Sequence, residues 1–232
     1  MQKDKQLSVV PCHVGVIMDG NGRWATARNH KRSYGHKKGA QNIERVVFAL
    51  LKEGVSYISL YAFSTENMQR PTQEVNALFQ ILNDGIKKYG EIALKKGVRL
   101  CISGDTQVLN EQIRQTINTY EQKTACFNKP VLNICINYGA RQELCFAFNN
   151  MLKDNLAITW QNIQKSTYNG FLPPVDLVIR TGGEHRLSNF MLFQCAYAEL
   201  YFTDVLWPDF SKEEVKKALS WFADRKRRFG KL

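Results

Sequence analysis

The residues best equipped for chemistry come in short polar clusters, each set directly after an apolar run. The first is Asp19-Gly20-Asn21-Gly22-Arg23-Trp24. Glycines let a backbone approach a ligand closely, a helix opening there offers unpaired N–H groups, and Arg23 adds a forked donor for phosphate oxygens. Asp19 is an acid beside that anion site, a conflict that a hard cation such as Mg²⁺ removes by lying between carboxylate and diphosphate. Taken alone, the segment reads first as a tight turn whose Asp caps a helix. It matches neither the phosphate loop GxxxxGK followed by Ser or Thr nor the dinucleotide fingerprint GxGxxG.

Arg32 and His36 follow, four apart and able to share one helix face, among Lys31, Lys37 and Lys38. A second post-strand cluster carries Ser64, Thr65, Glu66, Asn67, Met68 and Arg70 before Pro71. Hydroxyls, an acid, an amide and an arginine suit a mobile loop that orients a polar substrate, and alone they suit a helix-capping surface loop as well. The third cluster is Arg180-Thr181-Gly182-Gly183-Glu184-His185-Arg186-Leu187-Ser188. Two arginines six apart around a Gly-Gly turn make a diphosphate clamp, because a strand-end arginine is costly to satisfy otherwise. Glu199 lies among Tyr197, Leu200, Tyr201 and Phe202, where an acid wants a metal or an arginine.

These clusters need a scaffold that aims them at one place. Apolar, β-rich runs at 13–18, 55–63, 98–103, 131–138 and 175–180 predict strands, with a sixth at 200–203. Helical spacing covers 39–53, 71–96 with a break near Gly85 or Gly90, 110–126, a segment opening at Gly139, and 212–228. Strand and helix alternate with no Pro/Ser-rich linker and no repeat. The expectation is one α/β domain over residues 1–232, a mostly parallel sheet of about six strands covered by helices. Residues 1–12 form a polar extension and 224–232 a basic tail. In such sheets ligands bind at the carboxyl ends of the strands, where the clusters fall.

Composition narrows the partner. Hydrophobic residues make up 44% of the 232, enough for a sizeable core. A net charge of +11 calls for something anionic: nucleic acid, a membrane surface or a phosphorylated small molecule. The six cysteines form no CxxC pair and read as reduced, mostly buried thiols, and the four histidines lack HxxxH spacing. There is no DDxxD, HExxH or GxSxG, which sets aside metal-cluster phosphatases and serine hydrolases. No apolar run is long enough for a membrane span, and the start is short and polar, so a cytoplasmic protein is expected.

Taken together, HVGVIMDGNGRWA, GHKKGA, YAFSTEN followed by RP, NYGAR, VDLVIRTGGEHRLSNF and AELYFTDVLWPDF resemble the cis-prenyltransferase family, in particular its undecaprenyl diphosphate synthase group. The blocks stand in family order from about residue 13 to 230. The resemblance implies repeated cis addition of isopentenyl diphosphate to an allylic diphosphate, commonly farnesyl diphosphate, giving a long polyprenyl diphosphate such as undecaprenyl diphosphate, the lipid carrier precursor for cell-wall synthesis. It implies Mg²⁺ as cofactor, held by Asp19 with Glu199, and catalytic roles for Asp19 and Asn67. Gly20, Asn21, Gly22, Arg23, Arg32 and His36 would cradle the allylic diphosphate, with Trp24 against the substrate. Ser64, Thr65, Glu66, Met68 and Arg70 belong to the covering loop, and Arg180, His185, Arg186, Leu187 and Ser188 to the isopentenyl diphosphate position. Asn67 matches a family position assigned as proton acceptor, although an amide is a poor base and the departing diphosphate a better one.

The growing chain needs an apolar tunnel, for which Val46, Val47, Leu50, Leu78, Ile81, Leu82 and Ile86 are candidates that also read as ordinary core. Met68 stands where the family usually has an aromatic, and Arg228-Phe229-Gly230 resembles a tail that crosses a homodimer interface. Membrane contact would be peripheral, at the inner face. The alternatives are a non-catalytic partner subunit of the same family and a basic nucleic-acid-binding protein. The second lacks any RRM, KH, zinc-finger or helix-turn-helix signature, so no nucleic-acid partner is expected.

Overall fold

The computed structural model describes residues 9–227. Six strands, β1 (His13–Ile17), β2 (Tyr57–Ser64), β3 (Arg99–Ser103), β4 (Val131–Tyr138), β5 (Leu177–Arg180) and β6 (Glu199–Phe202), form one sheet in the order β3-β4-β2-β1-β5-β6. Every pairing is parallel. β1, β4 and β5 are buried along their whole length. That is the signature of a sheet covered on both faces, with the near-continuous apolar strands seen in the sequence.

The helices are α1 (Asn21–Thr26), α2 (Arg32–Lys52), α3 (Thr72–Lys96), α4 (Glu111–Thr124), α5 (Ala140–Lys153), α6 (Trp160–Ser166) and α7 (Lys212–Ala223). The larger core joins Val14, Val16, Leu60, Ile134 and Ile179 to Val46, Leu50 and Ile86 of α2 and α3. The opposite face carries a smaller core of Ile17, Cys135, Tyr138, Val178 and Phe190. Alternate residues of the strands supply the two cores, as a two-sided pleat requires, but Tyr138 joins the smaller core after Asn137 takes a left-handed φ of +46°.

Three expectations need correcting. α2 begins at Arg32, not Gly39, because Gly35 and Gly39 serve close packing inside the helix: a Cβ at either would lie 2.0 Å from an oxygen of Asn21. α3 runs unbroken through Gly85 and Gly90, since a Cβ on Gly90 would meet the Tyr120 ring at 2.3 Å and the glycine lets α4 approach. All six cysteines are free, but only Cys101, Cys135 and Cys195 are buried. α7 stops at Ala223, short of the expected 228, and α6 was not foreseen.

Candidate active site

β1 reverses the winding of the sheet, with β2 on one side and β5 on the other, so a crevice opens above the carboxyl ends of β1 and β5. Asp19 follows β1, Ser64 ends β2 and Arg180 ends β5. The cavity there holds about 830 Å³.

Asp19 is set by its turn. Gly20 adopts φ +105° and gives its N–H to Asp19 Oδ1 at 2.6 Å. Arg180 donates to Oδ2 at 3.0 Å, and Arg23 lies 3.4 Å from Oδ1. The carboxylate side chain is one-third exposed (33%), while that of Arg180 is 5% exposed. Arg180 also donates to the Arg186 carbonyl and to Ser188 Oγ (2.9 Å). Gly182 must be glycine: its φ is +86°, and a Cβ would meet the Arg23 guanidinium at 2.7 Å.

A second cationic group faces the cavity from α2 and the start of α3. Glu74 Oε1 gathers Arg70 at 3.1 Å, His36 Nε2 at 3.5 Å and Arg32 at 3.8 Å. Burial and then the Arg70 charge push His36 below its ordinary pKa, with Glu74 opposing them. Arg32 lies over Gly22, whose missing side chain leaves it room.

Between the two groups, residues 64–69 form a tight turn. Ser64 and Asn67 cap each other, Asn67 Oδ1 accepting the Ser64 N–H at 3.1 Å. Burial pulls the Glu66 carboxyl upward, but hydrogen bonds from its own backbone, Asn189, Ser64 and Thr65 outweigh this and hold it low.

Of the expected site residues, Asp19, Gly20, Asn21, Gly22, Arg23, Arg32, His36, Ser64, Glu66, Asn67, Arg70, Arg180, Arg186 and Ser188 line this one cavity. Others do not. Trp24 turns away, its indole N–H on Asp209 Oδ1 at 2.7 Å and Arg28 over its ring. His185 stacks on Phe202. Thr65 Oγ1 is buried beneath the loop near Gly139, Leu187 packs against the smaller core, and Met68 is an exposed residue outside the wall. Glu199 starts β6 opposite Leu177, three residues before the Arg180–Phe202 pair that marks the site's edge, so one chain does not bring it to Asp19. Arg228-Phe229-Gly230 lies outside the described residues.

The cavity also has walls that the sequence reading missed: Tyr61, Arg141 and Asn189. For Arg141 the signal was its place directly after the fourth apolar strand. Tyr61 donates to the carbonyls of Tyr138 and Ser188, and burial raises its pKa well above normal. An apolar cleft of about 90 Å³ shares Met18, Tyr61, Ala62 and Leu78 with the cavity and continues along Ile81, Leu82, Ile86 and Tyr89. Val46 and Leu50, also tunnel candidates, are fully buried core.

Among the described residues, no three His, Cys, Asp or Glu side chains gather as a metal site. Asp19 alone still fits a hard divalent ion that takes its remaining ligands from diphosphate oxygens and water. The arrangement can hold two polyanions side by side, one beneath α2 and one against β5, with a carboxylate at the Arg180 end and an apolar exit.

The chain matches the family model described as "Putative undecaprenyl diphosphate synthase" over residues 17–230. It is 44% identical over 233 residues to an isoprenyl transferase of Leptospira interrogans, covering 97% of each chain. To the ditrans,polycis-undecaprenyl-diphosphate synthase of Escherichia coli it is 44% identical over 225 residues, covering 94% of this chain and 89% of that one. Among solved structures, lavandulyl diphosphate synthase from Lavandula x intermedia with dimethylallyl diphosphate superposes with a TM-score of 0.90 at 27% identity, covering 96% and 99%. A probable undecaprenyl diphosphate synthase from Campylobacter jejuni gives 0.82 at 34%, covering 95% and 99%. By sequence, fold and the convergence of its arginines on one cavity, the chain belongs to the undecaprenyl diphosphate synthase family of prenyltransferases.

Proposed function

We propose that the chain condenses isopentenyl diphosphate repeatedly, with cis geometry, onto an allylic diphosphate, farnesyl diphosphate by preference, to make undecaprenyl diphosphate. The observation that carries this is one cavity with two arginine groups, an acid beside one of them and an apolar cleft leading out. The E. coli relative is named as farnesyl-diphosphate specific. The cations meet in a cavity, an arrangement suited to small polyanions more than to a nucleic-acid backbone.

Breaking the allylic C–O bond puts negative charge on the leaving diphosphate, and Arg23, Arg32 and Arg70 are placed to stabilise it. Mg²⁺, held by Asp19 and diphosphate oxygens, would neutralise further charge on the leaving group. Arg180, Arg186 and Ser188 hold isopentenyl diphosphate so that its double bond attacks the allylic carbon. The new C–C bond forms as the C–O bond breaks, and a proton then leaves the isopentenyl C2. Asn67 Oδ1 already accepts the Ser64 N–H, and an amide is a poor base, so Asn67 orients the substrate and the released diphosphate takes the proton. The growing chain enters between α2 and α3, along Leu78, Ile81, Leu82 and Ile86. The cleft there is narrow, so elongation pushes the two helices apart.

We further infer a homodimer. Phe148, Leu152, Ile158 and Trp160 of the α5–α6 region, with Tyr197 and Leu200 by the β6 edge, are exposed apolar side chains suited to a second copy. No described helix is long and apolar enough to cross a membrane, and contact with the membrane that receives the product is peripheral.

The test is incorporation of radiolabelled isopentenyl diphosphate with farnesyl diphosphate and Mg²⁺. Wild type should give long-chain product, and Asp19→Ala or EDTA should abolish it. Folded wild type that incorporates nothing with several allylic primers would sink the assignment and favour a silent partner subunit.

A further inference from the structure

Six arginines line the cavity: Arg23, Arg32, Arg70, Arg141, Arg180 and Arg186. Five already face a carboxylate. Arg23 and Arg180 meet Asp19, Arg32 and Arg70 meet Glu74, and Arg186 meets Glu184. Among the described residues Arg141 meets none, and its guanidinium makes no hydrogen bond. An anion entering the cavity would have to loosen an ion pair at each of the other five. At Arg141 it would not.

The backbone beneath Arg141 is fixed by the clamp on β5. Ser188 and Asn189 sit in the left-handed region, at φ +49° and +65°. Asn189 accepts the Ala140 N–H on its carbonyl at 2.8 Å and the Arg141 N–H on Oδ1 at 3.1 Å. Its Nδ2 donates to Glu66 and Gln142. The preceding residue, Ser188, accepts from Arg180. Arg141 is therefore one hydrogen bond and one residue from the Arg180–Ser188 contact. α5 packs on the sheet face with Tyr138, through the Tyr138–Glu143 bond, whereas Arg32, His36 and Arg70 come from the α2–α3 face.

We propose that Arg141 is a third arginine of the isopentenyl diphosphate position, held in place by Asn189 and free to take the incoming diphosphate. A purely solvated cation is the competing role, and the two differ in kinetics. The inference rests on the prenyl-transfer reading above.

Steady-state kinetics of the full chain should show that Arg141→Gln raises KM for isopentenyl diphosphate about tenfold or more, the scale of one charge-assisted hydrogen bond. KM for farnesyl diphosphate should stay within about twofold, with Arg141→Lys intermediate and the melting temperature unchanged. Unchanged KM values, or equal rises for both substrates, would overturn the proposal. Calorimetric titration with inorganic pyrophosphate is the second readout, where Arg141→Gln should bind more weakly than wild type and equal affinity counts against the proposal. If wild type transfers no prenyl group, the functional reading fails, while the titration still decides whether Arg141 binds a diphosphate.

Discussion

Arg180 illustrates how the site works at the scale of single residues. A guanidinium this deeply buried needs partners on every donor, because desolvating an unpaired charge costs several kcal/mol. Its partners are Asp19, the Arg186 carbonyl and Ser188 Oγ, which together span the first and third polar clusters, while Nε is left without one. The planar fork reaches both sides at once, and a lysine, as a point charge, reaches only one. Arg180→Lys should therefore lower kcat/KM for isopentenyl diphosphate by about 100-fold, the loss of two charge-assisted contacts. A variant within threefold of wild type would show that the fork is not needed. The cluster residues that line the cavity were legible in the sequence because each follows a strand directly. Trp24 does not line the cavity, since its direction is set by Asp209, 185 residues away, a contact no local pattern shows.

At the scale of elements, a chain of buried polar groups crosses four strands beneath the site. His13 Nδ1 donates to the Pro173 carbonyl, and Nε2 accepts from Ser59. Ser59 accepts from Asn133, and Ser103 donates to Asn133. Burial lowers the His13 pKa to about 4, against smaller raising effects of the Pro173 carbonyl and Asp176. The unfolded state thus binds a proton below about 6.5 that the folded state refuses until about 4. His13 therefore costs nothing above pH 6.5, and stability falls as pH drops from 6.5 to about 4, by about 3 kcal/mol in all. Glu121 and Glu143, raised by burial, act in the opposite sense, since the folded state takes up their protons first. The expected result is that wild-type stability in denaturant titrations at pH 7, 6 and 5 falls more steeply than that of His13→Gln. Parallel slopes would mean that His13 titrates normally in the fold.

At the scale of the whole molecule, the sheet ends at β6, which pairs with β5 on one side only. Leu200 is exposed there, and the adjoining Tyr197 is 67% exposed. Glu199 opens the same strand, three residues back from the Arg180–Phe202 pair at the site's edge, so under the proposed homodimer it would lie at the edge facing a second copy. Sedimentation velocity should give twice the chain mass for wild type and a shift toward the monomer for Leu200→Glu. Wild type sedimenting as a single chain would remove the homodimer.

The alternation of strand and helix, the parallel sheet and the three polar clusters are written in the order of residues, because apolar periodicity and strand-end turns are local properties of the chain. Long-range packing settles which clustered side chains face the cavity, that Arg141 joins them, that the glycines of α2 and α3 pack without breaking either helix, and that Glu199 lies away from Asp19. Those outcomes depend on strand order and on contacts between segments far apart in the chain, which no local pattern encodes.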